Sequence, residues 1–120
     1  SAGCTDCHTA TDAATMHDSP AVVLGCTDCH GGDASVRRAT TVATDSRDYR
    51  ALKDRAHVLP RFPDAWAARR SGNPERSYQL LNREAPEFVR FVNPGDLRIA
   101  RESCGSCHLP VIEAAERSLM

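Results

Sequence analysis

At 120 residues the chain has the length of one domain, and its six aromatics, Tyr49, Phe62, Trp66, Tyr78, Phe88 and Phe91, leave residues 1–36 without one. A formal net charge of −1 conceals a partition: 1–36 carry five Asp and no Lys or Arg, 37–101 carry thirteen of the fourteen Arg plus Lys53, and 102–120 are acidic again. That balance excludes a nucleic-acid-binding class, which needs an excess of basic charge, and no run approaches the ~20 apolar residues that cross a bilayer as a helix.

From the N-terminus, residues 1–32 read as short irregular links around clustered Cys and His. Thr11 to His17 predicts a brief helical turn that Asp18-Ser19-Pro20 ends. Ala21-Val22-Val23-Leu24 is an apolar run too short to class, expected to pack on a flat apolar partner. Gly31-Gly32 supply a backbone free of Cβ, and 33–44 is a linker. Asp45 to Leu59 has helical composition, with Tyr49, Leu52 and Ala56 on one face, and Pro60 stops it. Pro63 to Ser71 predicts another helix with Trp66 and Ala67 inward, followed by a turn at Gly72-Asn73-Pro74. Glu75 to Arg83 and Pro86 to Val92 predict two more, the second with Phe88, Phe91 and Val92 apolar. Asn93-Pro94-Gly95 turns the chain, and Asp96 is placed to cap a helix carrying Leu97, Ile99 and Ala100. A last helix is expected to start at Pro110, with Val111, Ile112, Ala115 and Leu119 as its apolar stripe. The expected fold class is mainly α with much irregular coil and little or no β.

Three pentapeptides organise this pattern: Cys4-Thr5-Asp6-Cys7-His8, Cys26-Thr27-Asp28-Cys29-His30 and Cys104-Gly105-Ser106-Cys107-His108. Cys-x-x-Cys-His is the spacing of covalent c-type haem attachment, in which two thiols add to the porphyrin vinyl groups and the adjacent imidazole lies beneath the iron. Two residues between the cysteines make one turn, which sets both sulfurs against one porphyrin edge. The competing reading is a zinc centre built from paired Cys-x-x-Cys knuckles. Three pairs leave one knuckle over, and a His after every second Cys has no part in such a centre. All six cysteines are consumed by the haem reading, so none remains for a disulfide or a nucleophile.

On these pentapeptides and the two further histidines, His17 and His57, the chain resembles a multihaem c-type cytochrome. The motifs lie at the two ends and do not describe the segment between. The resemblance implies three covalently attached haem c groups held by Cys4, Cys7, Cys26, Cys29, Cys104 and Cys107, and a fold organised around stacked haems. One trihaem domain is then expected in three parts: a two-haem unit at 1–36, an Arg-rich helical segment at 37–101, and the third site with a terminal helix at 102–120. Residues 1–36 are expected to need their cofactors to fold, as small metal-binding domains do. Arginine in such number suggests bidentate partners for haem propionates.

Three irons have six axial positions, and His8, His30 and His108 take three of them. His17 and His57 are the expected distal ligands. In small cytochromes similar to this one, a His placed nine residues before a Cys pair, as His17 is before Cys26, ligates the haem that follows. That assigns His17 to the second haem, with the first as the alternative, and returns His57 to the first or third. The position left over is expected at the third haem, filled from another chain or a continuation of this one. Met16, beside His17, and Met120, about 18 Å beyond His108 along a helix, are the weaker candidates.

The resemblance implies one-electron relay between closely spaced, mostly bis-His haems, with redox proteins or other cytochrome subunits as partners. No catalytic residue is expected. The alternatives are a haem enzyme with one five-coordinate iron reducing a small molecule, and an electron-feeding module of a larger membrane or extracellular complex. The implied location is the periplasm or cell exterior of a bacterium, with a secretory signal removed or the chain part of a longer polypeptide.

Overall fold

The computed structural model describes residues 1–10, 16–66 and 77–118. Among them, helices run Ala2–Thr5 (α1), Cys26–His30 (α2), Arg47–Ala56 (α3), Ser77–Leu81 (α4), Pro86–Val92 (α5) and Ala100–Ser118 (α6), with a 3-10 turn at Pro63–Ala65 and no strand. The expectations placed on 11–15, 67–76 and 119–120 lie outside the described residues, and with them Ala67, Leu119 and Met120.

Local chemistry sets the boundaries. The Ser46 hydroxyl accepts the Tyr49 N–H at 3.0 Å and starts α3, so this helix is shorter than the 45–59 segment expected, ending at an extended His57. α5 begins at Pro86, whose missing N–H costs nothing in a first turn. The helix expected from Pro63 is, in its described part, a single 3-10 turn leading to an extended Trp66. Glu84 ties this loop down: its carboxylate accepts the backbone N–H groups of Arg61 and Phe62 at 2.6 and 3.2 Å and the Trp66 Nε1–H at 2.8 Å.

Nor does a separate helix start at Pro110. The third pentapeptide is itself helical, so α6 is already running when it reaches Pro110 and passes through it without that one N–H. Of the stripe expected there, Ile112 is buried but Val111 is 66% exposed.

The side-chain core is Trp66, Leu81, Phe88, Val89 and Ile99, flanked by Val58, Leu80, Phe91 and Val92. Phe88 is fully buried, and Trp66 meets it edge-on at 5.5 Å. All of this comes from the aromatic part of the chain. Among the described residues, 1–36 add only Gly3 and Val36 to the buried set. Gly3 is required by close approach: its N–H bonds the Ala34 carbonyl at 3.0 Å, and a Cβ there would strike the Ala34 and Val36 carbonyl oxygens.

The assembled chain is a slab of 49 × 38 × 19 Å. No helix among the described residues is long and apolar enough to cross a membrane.

Candidate functional site

Each pentapeptide occupies a helical turn. The His8 N–H bonds the Cys4 carbonyl at 2.8 Å across the end of α1, the second pentapeptide is α2 itself, and the third lies within α6. In a helix, positions i, i+3 and i+4 share one face, so both thiols and the imidazole of each motif point the same way. All six thiols are free.

The two extra histidines each meet a pentapeptide histidine. The His8 and His57 rings lie 6.0 Å apart between centroids, tilted by 37°, and the His17 and His108 rings lie 6.0 Å apart, stacked within 20°. A metal–imidazole bond of about 2 Å on each side of one central ion, plus the half-width of each ring, gives about this separation. The donor chemistry and spacing therefore fit an iron held between two imidazoles. Among the described residues no three His, Cys, Asp or Glu side chains converge to hold a bare metal ion; the donors meet in twos.

This pairing differs from the sequence expectation. His17 was expected at the second site and stands at the third, beside His108, while His57 takes the first. The pentapeptide histidine that meets no second imidazole is thus His30 rather than His108; all five histidines are among the described residues. Sequence spacing misled because α6 folds back over the N-terminal unit, packing on α2, which brings His108 to His17 across more than ninety residues of chain. Met16 is 85% exposed and lines the larger cavity together with His30.

The chain builds these pairs through a few backbone contacts. Gly31 and Gly32 both have positive φ, +69° and +81°, which turns the chain sharply out of α2. Asp33 N–H then bonds the Ala56 carbonyl at 2.9 Å, and His57 follows Ala56 directly. Gly32 passes so close to that carbonyl that an added Cβ would lie 2.6 Å from it. Ser1 Oγ accepts the Cys26 N–H at 2.7 Å and joins the first two sites.

Two aspartates at the same pentapeptide position do different work. Asp6 takes the Arg37 guanidinium at 2.6 and 2.9 Å and the Arg38 N–H at 3.1 Å, clamping the return segment onto α1. Arg37, then the Arg38 N–H, hold its carboxyl below the usual carboxylate range. Asp28 instead reaches back to the Gly25 N–H at 2.6 Å and fixes the start of α2.

α5 supplies the contacts that sequence reading missed. Arg90 donates to the carbonyls of Cys29 at 2.9 Å and Asp28 at 2.5 Å, closing the end of α2. Phe91 O lies 2.8 Å from His30 Nδ1. A carbonyl only accepts, so Nδ1 carries the proton and Nε2 is left with its lone pair for a metal. The Phe91 ring lies 5.1 Å from the His57 ring. Nothing in the sequence marked these two residues beyond one arginine among fourteen and one apolar helix position. The guanidinium forks of Arg37, Arg90, Arg98 and Arg101 hold the chain's own oxygens.

The three sites are contiguous. Burial pushes the Cys4 thiol up, and the neighbouring Cys26 thiol adds to the rise; burial does the same for Cys29, with Cys104 the largest neighbouring charge. The Ser1 Oγ bond to the Cys26 N–H and the packing of α2 on α6 set the second site against both others. Cavities of about 320 and 550 Å³ run along this line, within the range of cofactor sites. Cys4, His8, Cys26 and His30 line both, the smaller adds His57 and the larger His17 and Cys104. No protein-family model, curated protein or solved structure matches the chain.

Proposed function

We propose that this chain is a trihaem c-type cytochrome domain that relays single electrons, acting outside the bacterial cytoplasm between redox proteins or as a module of a larger cytochrome assembly. The observation that carries this reading is the pairing of His57 with His8 and His17 with His108, each at 6.0 Å. Both histidines outside the pentapeptides are used, and each lands opposite a pentapeptide imidazole.

In this reading Cys4 and Cys7, Cys26 and Cys29, and Cys104 and Cys107 hold the macrocycles, and the histidines hold the irons. A haem iron supplies reversible one-electron chemistry at a potential set by its ligands and surroundings. His8 with His57 and His17 with His108 would each hold an iron between two imidazoles at the first and third sites, which would leave no place there for a substrate and favours relay over catalysis. His30 is oriented by its Nδ1–H bond to Phe91 O. The contiguity of Cys4 with Cys26 and of Cys29 with Cys104 supports relay in the order first, second, third. The position opposite His30 is left to a ligand other than a histidine of this chain.

Pyridine haemochrome spectra with intact-mass analysis test the reading: three covalent haems per chain are expected. Absence of covalent porphyrin, or zinc in its place, overturns it. Electron paramagnetic resonance of the oxidised protein is expected to show at least two low-spin ferric centres.

A further inference from the structure

Phe91 stands where the first two sites meet. Its carbonyl oxygen lies 2.8 Å from His30 Nδ1, its ring lies 5.1 Å from the His57 ring at an angle of 43°, and it lines the cavity shared by His8, His30 and His57. We propose that Phe91 is a positioning residue that sets the axial ligands of two adjacent sites by two separate means: its ring holds His57 opposite His8, and its carbonyl fixes His30. The inference rests on the trihaem reading and adds to it a residue that touches both sites.

The need for such a residue follows from the local chain. His57 sits at the extended end of α3, where its N–H bonds the Lys53 carbonyl at 2.9 Å. A histidine at a fraying helix end has several rotamers within reach. A flat ring 5.1 Å from the imidazole and tilted by 43° removes some of them without competing for its nitrogens. Phe91 can do this rigidly because its neighbours anchor it. Phe88 and Val89 of the same helix are buried in the core, and Arg90 is bound to the end of α2. The alkyl side chains near this cavity lack a flat face of that size.

The two contacts are separable by substitution, because one is side chain and the other backbone. Phe91→Ala in the full chain removes the ring and keeps the carbonyl. The expected result is unchanged covalent haem content, a gain of high-spin ferric signal over the wild type of up to one haem per chain, and an upward shift of one midpoint potential with the other two unmoved. Carbon monoxide bound by the reduced protein is expected to rise by the same fraction. Phe91→Tyr, which keeps the flat ring, is expected to restore the wild-type spectra. If Phe91→Ala does not mature, Phe91→Leu carries the same test, since it keeps apolar bulk without the flat ring. Wild-type spin states and potentials in the mature variant overturn the proposal, as does a shift of all three potentials together, which marks a merely structural role. The wild-type haem count separates failures: no covalent haem sinks the trihaem reading itself, whereas three haems with unaltered ligation in the variant sink only the role of Phe91.

Discussion

Residues 1–36 and residues 57–100 solve the problem of an interior in opposite ways. The later segment buries Trp66, Leu81, Phe88, Val89 and Ile99 against one another. The earlier one leaves Met16, Val23 and Leu24 exposed, at 85, 89 and 41%, and gathers Cys and His around cavities. The difference teaches that a short chain can divide its work: one part packs side chains, and the other frames space for a large flat apolar group and is held in shape by backbone contacts. The two are joined at α2, which packs on α5 and α6.

The strongest way to break that comparison is to remove one anchor from the framed part. Replacing Cys26 and Cys29 together by Ala is expected to lower covalent haem to two-thirds and to expose 1–36 to proteolysis, while the segment around Phe88 stays protected. Mass mapping of limited digests checks this, and loss of protection at Phe88 would show that the two regions do not fold separately. The converse change is Phe88→Ala. It empties a site that is 0% exposed, and deletion of a buried Phe costs about 3–5 kcal/mol. Denaturant unfolding is expected to show that loss with haem content unchanged.

Gly32→Ala acts on the seam between the regions. A positive φ costs a residue with a Cβ about 1–2 kcal/mol, and the new Cβ would press on the Ala56 carbonyl. That carbonyl precedes His57, so the expected outcome is a modest stability loss together with weakened ligation at the first site, read as a high-spin ferric signal. Gly31→Ala has open space around its Cβ, with only Val58 Cγ2 at 3.8 Å, and is expected to cost stability without that spectral change.

What the sequence made legible follows the same divide. The turn made by each pentapeptide and the helix α5 were readable because each depends on spacing or composition within a few residues. The partner of His17 was not, because it is decided by where α6 lies after folding. The described start of the segment expected as a helix from Pro63 departs from that expectation at Trp66, whose indole N–H is taken by Glu84, eighteen residues later. Phe91 was legible only as an apolar position of α5, because half of its contribution is a backbone carbonyl, which any residue possesses.

Asp96 gives the smallest expected effect and the finest test of the packed region. Expected to cap a helix, it instead accepts the Arg98 N–H at 3.0 Å and the Arg98 guanidinium at 2.8 and 2.5 Å, closing a turn ahead of α6. Arg98, chiefly through its side chain, holds the Asp96 carboxyl below the usual carboxylate range. A lowered folded-state pKa means the unfolded chain binds the proton more readily, so this contact stabilises the fold above about pH 4, the ordinary Asp value. The stabilisation is lost as the pH falls through the lower folded value. Asp96→Asn keeps an oxygen for the Arg98 N–H but removes the charge, for a loss of about 1 kcal/mol at neutral pH. Its thermal midpoint is expected to converge on that of the wild type as the pH is lowered below 4. Parallel curves across that range would show that the charge at Asp96 contributes nothing to holding the turn from which α6 starts.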